Sequence, residues 1–131
     1  MYTKPKICIC IDFDGTIVEH RFPDIGRPVP EAIKWMKKFT EAGAGLILFT
    51  MRSDGQTDGY VLTEAVDYLR KNGVELYGIN ENPGQEEWTS SPKAYGHIYI
   101  DDAAFGCPLV YPPEHWPVLR QRPYVDWSIV G

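Results

Sequence analysis

Cysteine is scarce in this chain, with three among 131 residues. The chain is long enough to bury a core without covalent staples, and so few cysteines point to a reducing, cytoplasmic home. Cys8 and Cys10 lie two apart and face one side of the first expected strand. No second Cys pair or Cys/His cluster completes a metal site around them, so core packing is their expected role. Basic charge is also short: 13 Lys and Arg face 18 Asp and Glu, a net charge of −5. That balance argues against a protein built to grip a nucleic-acid backbone. No apolar run approaches the ~20 residues a helix needs to cross a bilayer. Residues 1–6 lead into the first apolar stretch without a signal peptide's cleavage region. Internal repeats, low-complexity segments and linkers are missing as well. What remains is an ordinary globular composition, 44% apolar, of a length that suits one domain over 1–131.

One stretch organises the rest: Lys-Ile-Cys-Ile-Cys-Ile-Asp-Phe-Asp-Gly-Thr at 6–16. The run at 7–11 is apolar and β-branched, short enough for a strand buried on both faces. It ends in Asp12 and Asp14. Paired acids at the carboxyl end of a parallel strand sit where α/β sheets bind ligands. Two carboxylates so close repel unless a divalent cation compensates or one stays protonated. An acidic turn is the ordinary alternative, since Asp and Gly are common turn residues.

After Thr16 comes a Pro-rich loop that could hold a short hairpin. Pro30 and Glu31 suit the start of a helix that Gly43 ends. Residues 44–50, with Leu-Ile-Leu-Phe at the centre, read as a second buried strand, and 51–59 as a polar loop. Leu62, Ala65, Val66 and Leu69 fall at i, i+3, i+4 and i+7, which predicts a helix over 60–72. A third strand follows at 74–79. The long loop at 80–92 suggests function or mobility, and its Trp88 is expected to pack down on the domain. Residues 97–100 form a fourth strand, again ending in acids, Asp101 and Asp102. An edge strand fits 108–111, and the Pro-rich tail, with Trp116, Tyr124 and Trp127, is expected to wrap the domain.

This alternation predicts an α/β fold with a central parallel sheet. Right-handed crossovers lay the first three strands out in one direction. If the fourth crosses to the other side of the first, a crevice opens there. Asp12, Asp14, Thr50, Asp101 and Asp102 would then surround it at strand ends. Lys93, the only Lys or Arg between Lys71 and Asp102, is the natural charge partner.

These residues carry a family resemblance. Asp-Phe-Asp-Gly-Thr resembles the first motif of the haloacid dehalogenase-like hydrolases, Asp-x-Asp-x-Thr after an apolar strand. Phe49-Thr50 resembles the second motif, Lys93 the third, and Asp101-Asp102 the acidic fourth. The resemblance covers about residues 6–110. It implies a three-layer Rossmann-like domain and a phosphatase acting on a phosphate monoester. It assigns Asp12 as the nucleophile that forms an aspartyl-phosphate, and Asp14 as the acid and then the base. Thr50 and Lys93 would hold the phosphoryl oxygens. Mg²⁺ would be bound by Asp12, the backbone carbonyl of Asp14, and Asp101 or Asp102. Elementary chemistry agrees: a carboxylate attacks a dianion poorly unless cations cancel the repulsion. Hard oxygen ligands suit Mg²⁺.

Dehalogenases of the group resemble the phosphatases but lack the second Asp, so Asp14 argues for phosphate chemistry. The gaps between motifs leave no room for a cap domain. In the family such open sites often serve large substrates or are closed by a partner subunit, so a homo-oligomer is one arrangement the resemblance allows. Arg21, Arg27 and Arg52 could meet the phosphorylated substrate, although an ordinary surface charge is the expected role of each. A signalling receiver domain uses similar residues in a different order, and here the second acidic pair comes last. A fold member that binds without turnover is the other alternative.

Overall fold

The computed structural model describes residues 4–55, 57, 59–112 and 122–131. Its elements in chain order are β1 (Cys8–Ile11), α1 (Ala32–Glu41), β2 (Gly45–Leu48), α2 (Val61–Lys71), β3 (Gly78–Ile79), β4 (Ile98–Ile100), β5 (Leu109–Val110), β6 (Tyr124–Val125) and α3 (Trp127–Val130). A 3-10 turn, Gln85–Glu87, lies between β3 and β4. The four-stranded sheet has the order β3-β2-β1-β4 with every pair parallel. β1 is therefore central and the strand order reverses beside it, because β4 crosses to the other side of β1, the condition set out above.

The fold is a three-layer, Rossmann-like α/β arrangement, with no cap domain among the described residues. Ile9 and Ile11 point to the face covered by α1 and α2, where they meet Met36, Ala65 and Leu69. Cys8 and Cys10 point the other way and pack with Ile47 and Ala94 under the 80–97 segment. Burial pushes the Cys10 thiol up to about 11, as fits a packing residue rather than a reactive one.

Several boundaries differ from the sequence reading. α1 begins at Ala32: Glu31 adopts φ 69° and Pro30 lies in the turn before it. The amide of Ala32 bonds the carbonyl of buried Val29, so a turn is completed before the helix starts. β3 is two residues, not six, because the amide of Val74 closes α2 on the Leu69 carbonyl instead of joining the sheet. Trp88 does not pack down. It is 61% exposed and stands edge-on to Tyr95, ring centres 5.4 Å apart. The expected edge strand is present as β5, but it pairs antiparallel with β6 in a separate small sheet. Trp127 of the tail is buried, while Trp116 lies outside the described residues.

Candidate active site

The carboxyl ends of β1 and β4 adjoin, and the amide of Asp12 still bonds the Ile100 carbonyl at 3.0 Å. Beyond this point the chain turns sharply through Gly15, φ 85°. A side chain there would collide with His20 and Asp102, so the turn needs glycine for space as well as conformation. Thr16 follows and is fully buried. Its hydroxyl donates to Asp12 Oδ2 at 3.2 Å and accepts the Asp102 amide at 3.2 Å. One side chain thus ties the two acidic strand ends together. The turn is held in turn by the C-terminal segment: Trp127 Nε1 donates to the Thr16 carbonyl at 2.8 Å, and the Val125 amide to that of Gly15 at 3.0 Å.

Asp12, Asp101 and Asp102 each bring a carboxylate oxygen within 4.8 Å of the others. Burial, with the charges of Asp101 and Asp102, raises Asp12 from 3.8 to about 8. Burial also raises Asp101. Burial acts to raise Asp102 too, but hydrogen bonds, first from His20 at 2.9 Å and then from Asp12, outweigh it and leave Asp102 lowered. Sequence reasoning missed His20, which lies 82 positions from its partner and in no motif.

Three hard oxygen donors that repel one another when ionised are a donor set that fits a small divalent cation such as Mg²⁺. The cluster therefore predicts a pH signature. Asp12 is raised on folding, so its contribution to stability is full below about pH 4 and is lost as pH rises through about 8. Asp101 acts in the same sense, and Asp102 opposes them, weakening the fold only as pH drops into the acid range. Thermal melts in chelator should fall between about pH 4 and 8, and saturating Mg²⁺ should flatten that slope. A slope unchanged by Mg²⁺ would argue that the three acids hold no ion.

Asp14 is not part of that cluster. Both its oxygens accept from Arg52, Oδ2 from Nε and Oδ1 from Nη2, each at 2.8 Å. Arg52 is only 2% exposed, which corrects its reading as an ordinary surface charge. Its remaining donors reach the carbonyls of Pro23, Asp24 and Val61, and its guanidinium lies 4.9 Å from the Phe13 ring centre. The repulsion within the Asp12/Asp14 pair is thus relieved by a buried cation and by divergence of the two side chains. The signal in sequence was only its position, two residues past Thr50.

Thr50 sits two residues beyond β2. Its amide donates to Asn80 Oδ1 at 2.8 Å and its hydroxyl accepts the Arg52 amide at 3.1 Å, which leaves the hydroxyl proton to donate elsewhere. Lys93 is exposed, with its carbonyl held by the buried Gln85 side chain at 2.9 Å. Its ammonium lies 5.5 Å from the Tyr99 ring centre and makes no ion pair among the described residues. Arg21 is exposed, and Arg27 is exposed and pairs with Glu19 at 3.2 Å.

Fold and acids together define the class: an α/β protein whose adjoining central strands end in a cluster of carboxylates. No protein-family model matches the chain, and no curated protein does. A solved structure of a conserved protein from Bacteroides thetaiotaomicron matches with a TM-score of 0.71 and 33% identity, covering 95% of this chain and 85% of that one. The chain belongs to the same family as that conserved protein.

Proposed function

We propose that this protein is a Mg²⁺-dependent phosphatase of the haloacid dehalogenase-like type, without a cap, acting on a phosphate monoester through Asp12. The observation that carries this reading is the convergence of Asp12, Asp101 and Asp102 oxygens within 4.8 Å at adjoining strand ends. Asp12, Asp101 and Asp102, with the backbone carbonyl of Asp14, would hold the ion. When bound, Mg²⁺ supplies positive charge that offsets both the acids and the phosphoryl oxygens.

The side chains then divide the work. Thr16 orients Asp12 through its hydrogen bond, leaving Asp12 Oδ1 for attack on phosphorus. The P–O bond to the alcohol breaks as Asp14, having taken up a proton from solvent, delivers it to the leaving oxygen. To do so, Asp14 turns one oxygen off Arg52. As a carboxylate it then takes a proton from water, which attacks the aspartyl-phosphate and frees Asp12. The Thr50 hydroxyl donates to a phosphoryl oxygen, and Lys93 reaches the same group by leaving Tyr99. Free cysteines, two of them buried, agree with a cytoplasmic setting, and no helix among the described residues is long and apolar enough to cross a membrane.

A screen of phosphate monoesters tests this. Turnover is expected with Mg²⁺ and lost with chelator, and Asp101→Asn or Asp102→Asn should raise the Mg²⁺ required. Full activity in chelator would end the metal assignment. The grip of Arg52 on both Asp14 oxygens favours a second reading, a site that binds Mg²⁺ and phosphate with little turnover. Binding of both without hydrolysis of any ester would select it.

A further inference from the structure

We propose that a cavity at the amino ends of β1 and β4 binds a small molecule built as a planar aromatic ring carrying an acidic group. The site is separate from the acidic cluster and independent of the phosphatase reading. Cys8 opens β1 and His97 immediately precedes β4, and both line the cavity. Asp12 lies past the other end of β1, roughly 13 Å away at the rise of a strand. The cavity volume is about 550 Å³, within the range of sites for small organic ligands.

Two buried amides build its wall. Gln85 and Asn82 are each 8% exposed, and both spend their side chains on backbone groups. Gln85 accepts the Tyr95 amide at 2.7 Å and donates to the Ser91 and Lys93 carbonyls at 3.1 and 2.9 Å. Asn82 donates to the Tyr95 carbonyl at 2.9 Å and accepts the Gly84 amide at 3.0 Å. Tyr95 is thereby fixed through both its backbone groups, and the Trp88 amide is tied to the Gln85 carbonyl at 3.0 Å. The wall is formed without a ligand.

On it Trp88, Tyr95 and His97 make a row. Their ring centres are 5.4 and 5.0 Å apart, with planes at 88° and 70°. The row is not covered: Trp88 is 61% exposed and Tyr95 41%, so ring faces are open to a flat ligand. His97 Nδ1 accepts the Cys8 amide at 3.0 Å, which places the proton of the neutral ring on Nε2, as a donor. Charge selects among flat ligands. Aromatic faces alone would also suit a cation, but Lys4 and Lys6 line this cavity and no Asp or Glu does, in a chain of net charge −5. Lys4 meets exposed Glu87 at 3.6 Å, while Lys6 makes no ion pair among the described residues. Lysine ammoniums beside open rings match an aromatic anion.

Free aromatic carboxylates and mononucleotides share that chemistry, and calorimetric titrations in chelator distinguish them. The probes are 2-naphthoate, cyclohexanecarboxylate, 2-naphthamide and AMP. 2-Naphthoate should bind about tenfold tighter than cyclohexanecarboxylate, which has no ring face to stack, and about fivefold tighter than 2-naphthamide, which has no charge. It should also shift the indole N–H resonance that Trp88→Phe removes. Trp88→Ala should weaken it about tenfold, and a Lys4→Gln/Lys6→Gln double variant about fivefold. These side chains are exposed, so melting temperatures should hold. AMP binding tighter than 2-naphthoate, with the same loss in Trp88→Ala, supports the site and assigns it to a nucleotide; weaker AMP binding supports it and assigns a free aromatic acid. No binding of either acid at millimolar concentration overturns the inference. So does equal affinity for cyclohexanecarboxylate or 2-naphthamide, or 2-naphthoate binding that Trp88→Ala leaves intact. None of these outcomes bears on Asp12.

Discussion

Asp12→Asn should lose activity by roughly a thousand-fold or more, at least ~4 kcal/mol of barrier, because an amide replaces the attacking carboxylate. The loss should not come from misfolding. The amide keeps an oxygen for the Thr16 hydroxyl, and the substitution removes one charge from a crowded acidic cluster. In chelator above about pH 8 the variant should therefore be as stable as the parent or more so. Asp14→Asn should fail differently. It retains the nucleophile but removes the proton donor and base, an effect of order a hundred to ten thousand-fold. With a leaving group that is already a good anion, Asp14→Asn should still phosphorylate itself and hydrolyse the product slowly. Intact-protein mass spectrometry should find one added phosphoryl group in Asp14→Asn and none in Asp12→Asn. The label in both variants, or near-parent activity of Asp12→Asn, would remove Asp12 as the nucleophile.

The largest effect on stability is expected at Arg52. Arg52→Met strips the cation from Asp14, whose side chain is only 17% exposed, and frees three carbonyls on two other segments. Breaking a buried pair by removing one partner costs roughly 3–5 kcal/mol, because the remaining charge is left uncompensated. For a domain of this size that is a drop in Tm on the order of 10 °C. Asp14→Asn in the same background should restore much of it, since no charge is then stranded. Metal-site occupancy should hardly change in Arg52→Met, because Arg52 contacts Asp14 and not the three clustered acids. A cost below about 1 kcal/mol in chemical denaturation would mean the pair is solvated in solution, as exposed pairs are.

The frame of the site was legible in the amino acids because it depends on local rules. A β-branched apolar run predicts a buried strand, and acids at the end of that run must lie at the strand's end. The 3.6-residue period at 62–69 and the glycines at 43 and 73 mark α2 and the two helix ends. Handed crossovers lay β1, β2 and β3 out in one direction, and the placing of β4 on the other side of β1 then brings Asp12 and Asp101 to adjoining edges. Of those constraints, all but the side on which β4 lands need no knowledge of what packs against what; that side the sequence left as a condition, and the sheet order meets it.

What the tertiary structure alone decided are the partners chosen across long separations. Arg52 meets Asp14 38 residues away, His20 meets Asp102 across 82, and Trp127 reaches the Thr16 carbonyl across 111. No periodicity links such pairs, since each depends on where whole loops lie once the sheet has formed. Burial of Arg52 is the plainest case. Its residue type predicts exposure, yet a carboxylate and three carbonyls, on three segments in all, satisfy every N–H it has, which offsets the cost of leaving water. The same bond turns Asp14 away from Asp12. The spacing of the two acids determined that they share one strand end, and only packing decided that they face different partners.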